Sequence, residues 1–326
     1  MARNDLHGSS AFWNDTFSHI YAEEAALSYP ITDKLIKQLN AKPVHIKHYK
    51  DVFNRSGQDF RLQKNSPKLI LAKRHNKFLY EGAPIYEHYN NKFYYATLMM
   101  NCLYNCRYCY LQGLYQSANI VAFVNPEEYL PVFKQAAPAY ISISYDTDIM
   151  ALEHLFGYAA FFIDFARHNP SITMEIRTKS AGFNAISDIM PASNIILSWT
   201  LSPQKIIDSC ELSAPSLISR IKAAKSALDK GWRVRICFDP ILPFEAWEED
   251  AEQMLDLVQQ SIDLKAVDIS IGGFRMSVAH FKSLKRMHPA ISYPFLINDG
   301  SIVKCKEEEI EKMRIMVEDR CSKNQQ

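Results

Sequence analysis

From residue 92 onward, short runs rich in β-branched and aromatic residues alternate with longer stretches that repeat apolar residues at helical spacing. The strand candidates are KFYYATLMM (92–100), AYISISY (139–145), ITMEIRTK (172–179), NIILSWTLS (194–202), RVRICFDPI (233–241) and AVDISIGG (266–273). Between them lie PEEYLPVFKQAA, MALEHLFGYAAFFIDFARH, the short AGFNAISDIM, PSLISRIKAAKSALDKG and EEDAEQMLDLVQQSI. The fourth of these closes on a glycine, as helix C-termini do. Strand and helix alternating this often predicts parallel strands joined by right-handed crossovers. Six such units make most of a barrel. The expected fold is α/β, a partial (β/α)6 TIM-like barrel over residues 89–280, with its chemistry at the C-terminal strand ends.

The flanks read differently. Residues 1–88 form a small mixed α/β region, with a helix at ITDKLIKQLN, a polar loop at NRSGQDFRLQKNSP, and short strands at PKLILAKR and KFLYEGAP. Residues 281–326 give a hairpin, YPFLINDGSIVKC, turning at Asp299–Gly300, and a terminal helix in KEEEIEKMRIMVEDR. There is no internal repeat and no low-complexity segment.

Composition narrows the function classes. Hydrophobic residues make up 48% of the 326, enough for a large core, and a net charge of +1 gives no global electrostatic case for nucleic acid. The first residues, MARNDLHGSSAFWNDTF, hold no apolar run of signal-peptide type, and no stretch approaches the length of a membrane span. A cytoplasmic location is expected, where structural disulfides are disfavoured.

That expectation sharpens the reading of NCLYNCRYCYLQ (101–112), which holds three of the seven cysteines: Cys102, Cys106 and Cys109. Clustered thiols in a reducing compartment point to a metal or to catalysis. Zinc sites usually close with four ligands, and no second CxxC half follows, although Cys237 could serve as a distant fourth; three incidental cysteines are the other alternative. Iron–sulfur clusters are held by cysteine thiolates. The C-x3-C-x2-C spacing, with the aromatic Tyr108 before the last cysteine, resembles the radical S-adenosylmethionine superfamily. That resemblance implies a 4Fe–4S cluster with one open iron that chelates S-adenosylmethionine, and a one-electron reductant such as flavodoxin or ferredoxin.

The other strand ends supply polar candidates. Glu175, Arg177 and Lys179 alternate along the third strand and so share a face, where buried charges need partners or a ligand. The cofactor carboxylate suits Lys179. The second strand ends in SYDTDIM, where Asp146, Thr147 and Asp148 could bind ribose hydroxyls or cap the following helix. Thr200 and Ser202 end the fourth strand, and Asp239 the fifth, where turn chemistry is the alternative. The glycines of IGGFRM permit close backbone approach, and Arg275 is a candidate anion contact. The ten histidines show no metal-ligand spacing; Cys210, Cys305 and Cys321 read as ordinary thiols, and Cys237 as core.

CLYNCRYCYLQ, SYDTDIMALEHL, EIRTKS, LSWTLSP and DPILPFEAWEED, in this order and at these separations, resemble the spore photoproduct lyase-like family of radical S-adenosylmethionine enzymes. The likeness covers about residues 65 to 275. By position it implies cluster ligation by Cys102, Cys106 and Cys109, cofactor contact by Tyr108, Tyr110, Thr147, Asp148, Lys179 and Thr200, and repair of a thymine lesion in DNA; Asp239 joins the cofactor candidates as a strand-end residue. Two departures stand out. Tyr145 occupies the place of the family's hydrogen-donating cysteine and becomes the candidate catalytic residue, with plain packing as the alternative. The C-terminal hairpin is short and holds one lysine, Lys304, which weakens the case for DNA. A related reaction on a small anionic substrate, contacted by Arg177 and Arg275, is the alternative, and a non-catalytic iron–sulfur module is a third reading.

Overall fold

The computed structural model describes residues 16–82, 92–289 and 296–323. The end of KFLYEGAP, the start of the hairpin (293–295) and the 88/89 boundary lie outside them. The chain divides into two compact units: Met1–Leu103, Tyr115–Arg177 and Asn184–Ile195 form one, and Tyr104–Leu114, Thr178–Phe183 and Ile196–Gln326 the other.

In the first unit, strands β1 (Lys92–Tyr95), β2 (Ala139–Ser142) and β3 (Ile172–Thr178) pair in parallel, Lys92 against Ala139 and Ala139 against Ile172. Tyr80–Glu81 adds an antiparallel edge to β1. A five-stranded sheet stands beside them, ordered Val44–Ile46, Ile20–Glu23, Leu69–Ala72, Ile120–Phe123 and Met99–Met100. All its pairs are parallel except the last. Its central strands are apolar on both faces, as buried parallel strands must be.

The expected strand 92–100 is therefore two strands in two sheets. Thr97 lies at the break: its carbonyl accepts from the Tyr129 hydroxyl at 2.8 Å, and its own hydroxyl donates to Asp146. The first of these bonds satisfies a carbonyl that the first sheet has released. The strands Ile20–Glu23 and Ile120–Phe123 are additions to the sequence reading. Between β2 and β3, Asp148 caps a 3-10 turn, Ile149–Leu152, accepting from Ala151 N at 3.2 Å. The buried Glu153 then accepts from Ala159 N (2.7 Å) and Ala160 N (2.9 Å) at the start of helix Tyr158–Arg167.

In the second unit, β4 (Ile195–Thr200), β5 (Arg233–Ile241) and β6 (Asp268–Gly273) are parallel neighbours. Helix Leu217–Asp229 crosses from β4 to β5, with Ser216 as N-cap and Gly231 at φ +85 just past its end. Helix Trp247–Gln259 crosses from β5 to β6. The β5–β6 register shifts between Phe238 and Ile241. Here Gly272 makes room for Asp239: a Cβ on it would lie 2.9 Å from the Asp239 carboxyl carbon. A Cβ on Gly273 would lie 2.7 Å from Cys305 Cβ. Both glycines permit the close approach expected of them, toward protein atoms.

After β6 the chain forms an antiparallel sheet of Arg275–Ser277, Ile302–Cys305 and Leu296–Asp299, then helix Glu307–Lys323. The hairpin turns as expected, with Gly300 at φ +65. Trp247 Nε1 donates to Glu309 at 2.7 Å and seats that helix on Trp247–Gln259. Among the described residues, no single helix is long and apolar enough to cross a membrane.

Candidate active site

The cysteine loop is anchored at many points. Asn101, held at φ +68, donates from Nδ2 to Ser117 O (2.7 Å) and Asn119 O (2.8 Å), and Lys64 Nζ donates to Cys102 O at 2.6 Å. Further along, Asn105–Cys106 pairs antiparallel with Glu211–Leu212, placing Cys106 opposite Glu211. Arg107 N donates to Cys210 O at 2.7 Å. The short helix Tyr110–Leu114 follows, and its Gln112 reaches back, Nε2 donating to Cys106 O (2.8 Å) and Asn105 Oδ1 (3.0 Å). His288 Nε2 donates to Gln112 Oε1 at 2.6 Å. A Cβ on Gly113 would sit 2.6 Å from His280 O, so this helix packs directly on helix Val278–Met287.

Cys102 and Cys109 are half-buried, Cys106 is buried, and none of the three is in a disulfide among the described residues. Among the described residues no three His, Cys, Asp or Glu side chains are already gathered at metal-holding distance. The donor chemistry fits an iron–sulfur cluster nonetheless: three cysteines outside any disulfide, at the 3-then-2 spacing in one stretch of chain, with a cation beside Tyr108. That cation is Lys179. Its ammonium lies 5.8 Å from the centre of the Tyr108 ring. Burial pulls the Lys179 pKa down, but Glu211 and then the Cys106 sulfur push it up, and the net is a rise, so it stays charged.

A group absent from the sequence reading lies beneath. Glu211 and Arg220 are both 0% exposed and form an ion pair. The Tyr108 hydroxyl donates to the same carboxylate, as does Ser202 Oγ at 3.0 Å. Arg220 also donates to Thr200 O (3.2 Å) and Pro215 O (2.9 Å). Burial alone would raise the Glu211 pKa; Arg220, then Lys179, outweigh it and hold the carboxyl ionised below its usual range. Tyr108 is pushed far up, first by burial and then by Glu211, and remains a neutral phenol. The signal was in PSLISRIKAAKSALDKG: Arg220 sits on the stripe of Leu217, Ile221 and Ala224 that faces inward.

In the first unit, Tyr145 is 41% exposed and stacks on Tyr95 with ring centroids 4.2 Å apart; Tyr95 stacks on Tyr80 at 5.1 Å. Thr147 Oγ1 is buried with no hydrogen-bond partner among the described residues, as a hydroxyl awaiting a ligand would be. Asp148 carries out the capping alternative. Glu175 and Arg177, expected on one face, pair with each other at 3.4 Å. In the second unit Thr200 is buried, Asp239 rests against Gly272, and Arg275 lies exposed on the strand that follows β6. Tyr110 is half-buried at the first position of its helix.

The family model for spore photoproduct lyase matches residues 16–287. The chain is 22% identical over 255 residues to the spore photoproduct lyase of Bacillus subtilis, covering 74% of this chain and 73% of that one. It is 19% identical over 293 residues to the Clostridium acetobutylicum lyase, covering 85% and 84%. Among solved structures, a spore photoproduct lyase mutant with bound AdoMet and dinucleoside spore photoproduct superposes with a TM-score of 0.81 at 19% identity, over 94% of this chain and 97% of that one. A lyase complexed with dinucleoside spore photoproduct gives 0.82 at 18%, over 95% and 96%. The fold is thus the partial α/β barrel read from the strand–helix pattern. With a family model spanning most of its length, the chain belongs to the spore photoproduct lyase family, a family of radical S-adenosylmethionine enzymes that use a 4Fe–4S cluster.

Proposed function

We propose that this chain repairs a thymine-dimer lesion of the spore photoproduct type, with Tyr145 in the hydrogen-donating role. Cys102, Cys106 and Cys109 would hold the cluster, and Tyr108, Tyr110, Thr147, Asp148, Lys179, Thr200 and Asp239 would hold S-adenosylmethionine. When bound and reduced, that pair supplies a 5′-deoxyadenosyl radical able to take hydrogen from an unactivated carbon. The protein's own part is to position, to exclude water and to return hydrogen. Lys179 offers its ammonium to the cofactor carboxylate, and Thr147 Oγ1 gains a partner. Tyr145 then gives its phenolic hydrogen atom to the product radical, leaving a phenoxyl that one electron from the reductant and a proton from solvent return to the phenol.

The observation that carries this assignment is the placement of Tyr145, exposed on one side and stacked on Tyr95 on the other. The test is anaerobic. The reconstituted chain receives dithionite and S-adenosylmethionine, with and without an oligonucleotide bearing spore photoproduct. Deoxyadenosine together with restored thymines supports the proposal. Deoxyadenosine without repair refutes the substrate and keeps the radical chemistry. One feature favours that second reading, a small anionic substrate contacted by Arg177 and Arg275. The lysine of the hairpin, Lys304, is engaged by Asp299 at 2.7 Å, which leaves a weak grip for a phosphate backbone.

A further inference from the structure

A buried ion pair is a poor device for stability alone. Replacing one by well-packed apolar residues is often neutral or stabilising, whereas breaking it leaves an uncompensated charge. Glu211 and Arg220 are wholly enclosed, so their presence beside the cysteine loop calls for another reason. Their contacts supply one. Glu211 pairs through its backbone with Cys106, accepts the Tyr108 hydroxyl and accepts Ser202 Oγ at 3.0 Å. Arg220 holds the far oxygen of that carboxylate and the carbonyl of Thr200 at 3.2 Å. Two side chains thus tie the loop that bears a cluster thiol to the end of β4. Tyr108, fixed by its hydroxyl, carries Lys179 against its ring.

We infer that Glu211 and Arg220 are positioning residues: they lock Tyr108, and through it Lys179, in the orientation that receives S-adenosylmethionine. A carboxylate suits the task because it accepts several hydrogen bonds at fixed angles, and charge-assisted bonds are the stronger kind. Arg220 lets a carboxylate stand there without water. Neither residue touches the reacting atoms; both act through Tyr108. The inference rests on the cysteine loop being the cofactor site.

The test compares the reconstituted native chain with Tyr108→Phe and with the double variant Glu211→Leu/Arg220→Met, which replaces the pair by apolar groups of similar size. Three quantities are measured: the thermal midpoint, iron per chain, and the equilibrium dissociation constant for S-adenosylmethionine. The double variant is expected to regain a midpoint close to native and to bind S-adenosylmethionine about 10- to 100-fold more weakly, with Tyr108→Phe weakened in the same direction. A merely structural pair predicts native affinity once stability is restored, so a folded double variant binding within about twofold of native overturns the inference. Should the double variant fail to fold, Tyr108→Phe decides alone: native affinity in it overturns the positioning role. A native chain that takes up no iron overturns the cofactor reading itself, an outcome separable from either of these.

Discussion

Glu153 is a carboxyl in the wrong medium for a charge. It is 4% exposed, and burial pushes its pKa from an ordinary 4.5 up to about 7, against the lowering pull of the Ala160 and Ala159 amides. The folded chain therefore binds a proton that the unfolded chain releases between pH 4.5 and 7. Stability must fall as pH rises through that window, because the native state binds more protons there. The shift of roughly 2.5 units, at 1.36 kcal/mol each, corresponds to about 3 kcal/mol lost between the two limits. Glu153→Gln keeps an oxygen for the helix amides but cannot ionise. It is expected to cost a constant amount and to abolish this dependence. Urea unfolding of both chains from pH 4.5 to 8 isolates the effect, since every other titrating group cancels in the difference. Native stability should decline relative to the variant by about 3 kcal/mol across the window. Parallel profiles would refute the reasoning and show that the two amide bonds already compensate the charge.

Cys106→Ala should remove the brown chromophore and deoxyadenosine formation together, read by visible absorption and chromatography; cleavage that survived would disprove the cluster assignment. Tyr145→Phe keeps the stack on Tyr95 but has no hydrogen to return, so deoxyadenosine should persist while repaired product drops at least about tenfold, a loss of ~1.4 kcal/mol or more in the donating step. Gly273→Ala drives a methyl toward Cys305 and Ile310 and should cost about 1–3 kcal/mol in urea unfolding, as overpacking does.

The strand–helix rhythm revealed the six principal strands because a period of two and a period near 3.6 leave different marks on a chain. It failed where tertiary bonding decided. KFYYATLMM is uniformly strand-like, and nothing local records that Thr97 bonds to Tyr129 and Asp146 and sends Met99–Met100 to another sheet. Ile120–Phe123 was missed for a related reason: a four-residue apolar run without alternation is silent about its partners. The cysteine loop was legible because chemistry demands its spacing. Glu211 was not, since an acidic residue has no sequence mark for burial; Arg220 on the apolar face of its helix was the available clue.

The hold of helix Val278–Met287 on the cysteine loop bears on modularity. Gly113 has no room for a methyl beside His280, and His288 reaches the Cys106 carbonyl by way of Gln112. The three-cysteine motif occupies eight consecutive positions, yet the seat of its middle thiol is built from residues more than 170 positions downstream. A chain cut before residue 278 would retain every ligand and lose the bracket that aims one of them. The motif can be copied into another scaffold as a string of letters, but its geometry travels only with the distant segments that brace it, residues 278–288 among them.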